Sequence, residues 1–248
     1  SDDILSAILV DGNSSESDRQ EIIFIDSATP DYQQLLNTID TDAADTDYQI
    51  FILQSDQDGV EQITEILACF ETVDAVHLVG HGNEQGIQLG DSWLGQDSLS
   101  GHAESLGAWS NTLDAKADIL VYGCNLAASE EGQSLIRSLG EMTGADIAAS
   151  DDLTGHASLG GDWDLEYNIG TIESGIALSA DAQQDWVSLL AGSWFDANTG
   201  TPLAGPTTGS DLYVGDAGND TSINGSSGDD VLYGKDGDDD LTGASDND

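Results

Sequence analysis

Short apolar runs alternate with longer amphipathic stretches along residues 20–190. The apolar runs are typical of buried strands, and the amphipathic stretches repeat at the helical period. Strand-like runs lie at residues 22–25, 48–53, 75–79, 87–89, 119–122 and 146–149, and helical patterns lie at 32–39, 60–67, 106–109 and 135–142. Parallel strands need crossover connections and are buried on both faces. This order predicts an α/β domain with a mostly parallel sheet, which we expect to close with a hairpin over 162–172 and a terminal helix ending near 186–190.

From residue 192 onward the apolar runs stop, and Gly, Asp, Asn, Ser and Thr dominate. Aspartates then recur at spacings of nine, ten, nine and nine, and a glycine stands two positions before each of the first four. A fixed short period of this kind indicates a repeat array. The recurring aspartates are Asp211, Asp220, Asp230, Asp239 and Asp248. The pattern divides the chain into a lead-in (1–20), the α/β domain (21–191), a linker (192–205) and a truncated repeat region (206–248).

Acidic residues dominate the charge of the chain. Among its 248 residues are 48 Asp and Glu but only 4 Lys and Arg, which gives a formal net charge of -44. Nucleic acids and anionic membranes attract basic surfaces, so we expect neither as a direct partner. No apolar run approaches the roughly 18 residues that a membrane helix needs, so we expect no membrane insertion. Cys69 lies in a helical pattern and Cys124 follows a strand-like run, so we expect two free thiols.

Two reactive residues each follow a strand-like run that ends in glycine. His81 comes after residues 76–80, and Cys124 comes after residues 120–123. Open α/β sheets bind their ligands at the carboxyl ends of the strands. If these two strands are neighbours, His81 and Cys124 emerge on one rim, where an imidazole can accept the proton of a thiol nucleophile. The alternative is that Cys124 is a small buried apolar residue and His81 a loop residue in a glycine turn.

In this arrangement the chain resembles the caspase, gingipain and clostripain group of cysteine peptidases. More closely, residues 22–190 resemble an uncharacterised caspase-like α/β domain near the start of giant bacterial adhesins and RTX proteins. The segments that carry this resemblance are EIIFIDSATPDYQQLL, HLVGHGNEQGIQLG, ILVYGCNLA and GGDWDLEYNIG. The resemblance implies a caspase-like three-layer sandwich, with His81 as general base and Cys124 as nucleophile. It also implies that the backbone amides of Gly82 and Cys124 form the oxyanion site, and that the protein is secreted or lies at a bacterial cell surface.

The loop after the strand at 146–149 carries two further candidate residues, Asp151 and Asp152. In the caspase-like group this loop lines the pocket for the residue before the scissile bond, and carboxylates there would suit Arg or Lys. The alternative is a solvated acidic turn. Under the pocket hypothesis Arg19–Gln20, in a flexible lead-in, is the candidate self-cleavage bond. We also expect Cys124 to be the exposed, reactive thiol and Cys69 to lie in the core.

The repeat region resembles the RTX nonapeptide Gly-Gly-x-Gly-x-Asp-x-apolar-x. That resemblance implies a short parallel β-roll in which Asp211, Asp220, Asp230, Asp239 and Asp248 bind calcium as the cofactor, because carboxylate and backbone oxygens suit this hard cation. The array departs from the pattern at residues 222, 224 and 246. The alternative is a disordered acidic tail.

Two functions remain open from the sequence. The first is a secreted cysteine endopeptidase domain of a large RTX adhesin, with a peptide substrate in its own polypeptide or elsewhere. The second is a non-catalytic caspase-like cap or partner-binding module on a calcium-stiffened stalk.

Overall fold

The computed structural model of the chain describes residues 19–29, 32–36, 39, 46–191, 193–196, 202–203, 211–215, 223–226, 231–234 and 240–243. The strands are β1 (Arg19–Asp26), β2 (Thr46–Leu53), β3 (Val73–Val79), β4 (Gly82–Asn83), β5 (Gly86–Leu89), β6 (Ser92–Gly95), β7 (Leu113–Tyr122), β8 (Asp146–Ala149), β9 (Tyr167–Ile169), β10 (Ser193–Asp196), β11 (Pro202–Leu203), β12 (Asp211–Val214), β13 (Ile223–Asn224), β14 (Val231–Tyr233) and β15 (Leu241–Thr242). The α-helices are α1 (Tyr32–Leu36), α2 (Gly59–Leu67), α3 (Ala103–Trp109), α4 (Glu130–Thr143) and α5 (Ala180–Asp185).

Six strands form the central sheet in the order β2-β1-β3-β7-β8-β9. The first five are parallel, and β9 runs antiparallel to β8. The apolar run of β1 is buried continuously from Ile22 to Ile25, as expected for a strand covered on both faces. The prediction of an α/β domain with a mostly parallel sheet is confirmed.

Helices and loops cover both faces of this sheet, an arrangement compatible with a three-layer α/β sandwich. On one face, α2, α3 and α4 pack their apolar residues against the strands; these residues are Val60, Ile63, Leu67, Leu106, Trp109, Leu135, Ile136 and Leu139. On the other face, Leu35 of α1 and Ala182 of α5 pack beside Trp163, Trp186 and Leu190. This second face carries the candidate site.

Three sequence-based expectations about this domain are wrong. Residues 162–172 do not form a hairpin, because β9 pairs with β8 instead. The terminal helix ends at Asp185, and the next residue, Trp186, is already extended with φ -85° and ψ 93°. Apolar residues at 186, 189 and 190 fit a helical period, but they also fit an extended segment of which residues 186 and 188–190 are buried. Arg19 is not in a flexible lead-in: it opens β1 and pairs with Thr46 of β2.

Beyond the α/β domain, the described residues form short strand pairs. β10, β11, β12 and β14 make a four-stranded sheet, and β13 pairs with β15. Two of these pairings, β12 with β14 and β13 with β15, are parallel; no complete roll is evident in the described residues. Asp211 opens β12. The other predicted calcium ligands, Asp220, Asp230, Asp239 and Asp248, lie outside the described residues.

Among the helices of the described ranges, none is long and apolar enough to cross a membrane.

Candidate active site

The candidate rim is built by the neighbouring strands β3 and β7. Their register pairs His77 with Leu120 and Val79 with Tyr122, and the N–H of Gly80 continues the ladder by donating to the carbonyl of Tyr122 at 3.5 Å. β3 ends at Val79 and β7 at Tyr122; continued two positions past these ends, the same register would set His81 opposite Cys124. Val79 and Cys124 belong to the same buried cluster on one face of the sheet, and strand alternation continued past Val79 would put His81 on that face too.

The two glycines at the rim bring the chains into close backbone contact. A Cβ added to Gly82 would lie 2.7 Å from the Cα of Gly123 and 3.0 Å from the backbone nitrogen of Cys124. Only glycine fits at this approach. Immediately after the thiol, Asn125 takes a left-handed conformation with φ 56°, which asparagine tolerates better than most residues. Its N–H donates to the carbonyl of Asp152 at 2.6 Å, so the rim of β7 is tied to the loop after β8.

The Cys124 thiol is fully buried, and both the backbone N–H and the backbone carbonyl of Thr154 contact it. The N–H of Thr154 donates to Sγ at 3.1 Å, and Sγ contacts the carbonyl oxygen of Thr154 at 3.4 Å. His81 is also buried, with 3% of its surface exposed. Both cysteines are free, as expected, but their predicted exposures are reversed: Cys69 is exposed and Cys124 is buried. Cys69 lies just beyond the end of α2, and apolar periodicity alone did not fix which way it faces.

Two backbone amides of the rim point at one oxygen atom. The N–H of Gly82 donates to the carbonyl oxygen of Leu190 at 2.9 Å, and the N–H of Cys124 donates to the same oxygen at 3.5 Å. Converging N–H groups of this kind stabilise the oxyanion that forms during acyl transfer. The structure therefore brings the two predicted oxyanion donors together, and the group that they hold is a peptide carbonyl of the chain itself.

The segment that supplies this carbonyl, residues 188–190, runs antiparallel to residues 154–156 and is hydrogen-bonded to them. Leu190 donates its N–H to the carbonyl of Thr154 at 3.0 Å, and Ser188 accepts from the N–H of His156 at 2.9 Å. Between them, Leu189 and Gly155 form an antiparallel bridge. Main-chain pairing of an extended segment with a sheet-like edge is a general mode of peptide recognition.

Buried side chains anchor the segment. Leu190 and Trp186 are both fully buried, and Leu189 is 6% exposed. The ring of Trp186 lies 5.5 Å from that of Trp163, which in turn lies 6.1 Å from that of Tyr122 on β7. These apolar contacts hold the backbone of the segment against the rim.

His77, three residues before the rim glycine Gly80, belongs to a separate buried network. Its Nε2 lies 2.9 Å from Glu21, and its Nδ1 lies 3.1 Å from the Tyr122 hydroxyl. Arg19 bonds the other oxygen of Glu21 at 3.0 Å. Burial by itself would raise the pKa of Glu21, but the hydrogen bonds and charges of His77 and Arg19 outweigh it and lower that pKa. In this network both ring nitrogens of His77 have hydrogen-bond partners within the domain.

Asp151 and Asp152 lie beside the rim but on the outer surface. Both side chains are exposed, so they lack the burial that the predicted pocket for Arg or Lys requires. They form a carboxylate cluster with Glu166, whose oxygens lie within 4.8 Å of theirs. Burial raises the pKa of Asp152, and the charges of Asp162 and Glu166 raise it further. Carboxylates this close could hold a hard cation or simply repel one another.

Comparison with protein families gives one match. A domain family described only as a domain of unknown function (DUF4347) matches residues 22–190. The chain belongs to this family. No curated protein and no solved structure matches the chain. The match covers β1 through Leu190, so His81, Cys124, Thr154 and the segment that fills the site all lie within the family domain.

Four parts of this candidate site were predicted from the sequence, and two others were not. His81, Gly82, Cys124 and the loop after β8 were predicted to meet at one rim. Thr154 and Leu190 were missed, because both act through backbone atoms, which carry no residue-specific signal. Only the apolar pair Leu189–Leu190 next to a glycine-rich stretch hinted that this segment is buried.

Proposed function

We propose that the family domain is a caspase-like cysteine endopeptidase that uses His81 and Cys124. The observation that carries the proposal is the pair of N–H groups, from Gly82 and Cys124, that converge on one peptide carbonyl. A buried apolar cysteine needs no such donors. A nucleophile does, because its attack turns the carbonyl into an oxyanion.

The residues take the following roles in this mechanism. His81 accepts the thiol proton, and the sulfur of Cys124 attacks the carbonyl carbon of the bound peptide. Gly82 and Cys124 stabilise the resulting negative charge through their backbone N–H groups. Thr154 orients the sulfur and, through its carbonyl, the N–H of the residue before the scissile bond. His81 then returns the proton to the leaving amine.

The alternative, a non-catalytic cap or partner-binding module, has one observation in its favour. Both His81 and Cys124 are buried, and Leu190 of the same chain occupies the amides of Gly82 and Cys124, so a peptide from another molecule cannot bind these amides until that segment moves. The two functions are separated by direct assay.

The test is hydrolysis of a mixed peptide library by the full chain and by three variants. Cys124→Ala and His81→Ala should each abolish cleavage, whereas Cys69→Ala, which removes the exposed thiol, should leave it unchanged. Tryptophan fluorescence confirms that each variant is folded. Equal cleavage by wild type and Cys124→Ala, or no cleavage of either the library or the chain itself, would contradict the proposed enzyme and favour the binding module.

For the C-terminal region we infer a calcium-binding RTX-type roll, in a secreted or cell-surface protein. Support comes from the strand pairing: Leu212 pairs with Val231, 19 positions on, and Ile223 pairs with Leu241, 18 positions on. Both offsets equal about two nonapeptides, as expected where successive repeats alternate between two sheets. Asp211, Asp220, Asp230, Asp239 and Asp248 would supply carboxylate oxygens to calcium.

Calcium should order this region, because clustered carboxylates repel each other without a cation. The full Cys124→Ala chain should gain β signal in far-ultraviolet circular dichroism when calcium replaces chelator. Identical spectra in both conditions would count against the roll.

A further inference from the structure

We propose that the Leu190–Ala191 peptide bond is the substrate of this site and that the chain cleaves it in cis. The proposal rests on the proposed function and names its first substrate. Cleavage there would separate the family domain, whose match ends at Leu190, from the glycine-rich and repeat-bearing remainder of the chain.

The carbonyl of this bond already occupies the oxyanion position. Its oxygen is the one atom that both Gly82 and Cys124 contact through their N–H groups. The sulfur of Cys124 and the N–H of Leu190 both contact the carbonyl oxygen of Thr154, at 3.4 Å and 3.0 Å. The sulfur of Cys124 and the Leu190 peptide therefore share the carbonyl oxygen of Thr154 as a partner.

The strand pairing fixes the direction of the bound segment. Ser188, Leu189 and Leu190 are held by His156, Gly155 and Thr154 in antiparallel order, so the held side is the acyl side of the bond. Ala191 follows on the leaving side and is only partly buried. The described pairing therefore holds the acyl side of the bond, the side that would stay in the site as the thioester.

Side-chain environment explains why leucine occupies the position before the bond. Leu190 is fully buried in the apolar cluster that contains Tyr122, Trp163 and Cys124 itself. Its neighbour Leu189 fits against two glycines: an added Cβ at Gly155 or Gly161 would lie 3.0 Å or 2.8 Å from the Leu189 Cδ2. The acidic side chains of Asp151 and Asp152 point to solvent and would not select leucine. The site therefore favours a large apolar residue over Arg or Lys.

The chemistry balances with water as the only co-reactant. The Cys124 thiol gives its proton to His81, and the sulfur bonds to the Leu190 carbonyl carbon. The bond from that carbon to the Ala191 nitrogen breaks, and the nitrogen takes the proton from His81 to leave as an amine. A water molecule, deprotonated by His81, then attacks the thioester; it releases the Leu190 carboxylate and restores the thiol.

The experiment is a time course of intact mass that starts when denatured chain is diluted into folding buffer. Wild type should yield two fragments, residues 1–190 and 191–248, and Cys124→Ala should stay whole. Because the reaction is in cis, the rate should not change across a dilution series. Cys69→Ala is the matched cysteine control and should cleave like wild type.

Two variants of Leu190 test the pocket. Leu190→Met conserves volume and should cleave at close to the wild-type rate. Leu190→Ala empties the pocket and should slow cleavage by at least about tenfold, since even one methylene in an apolar pocket is worth ~10- to 200-fold. Loss of cleavage in both variants with native tryptophan fluorescence, or equal rates in both, would overturn the pocket assignment.

The outcomes separate this proposal from the proposed function. If wild type cleaves the peptide library in a Cys124-dependent way but stays whole itself, the enzyme stands and the Leu190–Ala191 assignment is wrong. Fragments cut elsewhere, for example after Arg19, or a rate that rises with concentration would also overturn it. If neither the library nor the chain is cleaved, the proposed endopeptidase function is wrong, and the Leu190–Ala191 assignment is wrong with it.

Discussion

Replacing Gly82 by alanine tests the backbone contact on which the site depends. The new Cβ would lie 2.7 Å from the Cα of Gly123, 2.8 Å from its carbonyl carbon and 3.0 Å from the nitrogen of Cys124. All three are backbone atoms, which cannot rotate away. To restore an ordinary contact of 3.4 Å or more, the backbones must separate by several tenths of an ångström. Overpacking of this kind costs about 1–3 kcal/mol.

Gly123→Ala is the matched control, because it adds the same methyl group to the opposite side of the same contact. Its Cβ would lie 3.4 Å from Gly82 and from Ile87, which is ordinary van der Waals distance. Both substitutions restrict the unfolded chain by the same amount, about 0.4–1 kcal/mol. The difference in unfolding free energy between the two variants therefore isolates the clash, and we expect Gly82→Ala to be less stable by about 1–3 kcal/mol.

The measurement is urea unfolding followed by tryptophan fluorescence, with both variants made in the Cys124→Ala background so that self-cleavage does not interfere. In thermal unfolding of a domain of this size, each kcal/mol of that difference corresponds to a difference in Tm of about 2–4 °C between the two variants. Equal midpoints for Gly82→Ala and Gly123→Ala would refute the reasoning. They would mean that the Gly82 amide is not pressed against Cys124, and the geometric basis of the paired N–H donors would be lost.

Three other predictions follow from burial and charge. Glu21→Gln should destabilise the Cys124→Ala chain by about 3–5 kcal/mol in urea unfolding at neutral pH, because it removes a buried carboxylate that is paired with Arg19 and bonded to the His77 ring. The pKa of Glu21 is lowered in the folded state, so its stabilisation is present above the unfolded pKa and the gap should narrow as the pH falls through the folded pKa. Asp152→Asn should raise the urea midpoint at neutral pH, because burial and the neighbouring carboxylates raise the pKa of Asp152 in the folded state; a gap that persists in acid, below the unfolded pKa of Asp, would contradict this reasoning. In the folded wild-type chain, brief iodoacetamide treatment should label Cys69 before Cys124, because Cys69 is exposed and Cys124 is buried. Peptide mass spectrometry measures the two labelling rates, and equal rates would contradict the burial of Cys124.

The sequence by itself determined the sheet and the two ends of the rim. A parallel strand covered on both faces has to be apolar along its whole length, and runs such as residues 22–25 and 119–122 are legible without any structure. Glycine followed by His81, and glycine followed by Cys124, marked the carboxyl ends of two such strands. Their meeting depended only on β3 and β7 being neighbours, which they are.

The sequence left the exposure of both thiols undecided. Cys69 follows a run of apolar helical positions, but it lies past the last turn of α2 and faces solvent. Cys124 follows a strand that ends at the rim, but residues 188–190 cover it. Hydrophobic periodicity predicts which face of a helix or strand is buried. It does not predict whether a segment distant in sequence covers the end of that helix or strand.

Only the tertiary structure decided what fills the site. Trp186, Leu189 and Leu190 have a spacing that fits both a helix and a buried extended segment, so periodicity could not choose between them. The choice came from main-chain hydrogen bonds to Thr154 and His156 and from the pocket beside Trp163. Every residue except proline carries the same N–H and C=O groups, so bonds of this kind leave no mark in the sequence. The carbonyl of Leu190 reaches the amides of Gly82 and Cys124 only because three distant parts of the chain fold against one another.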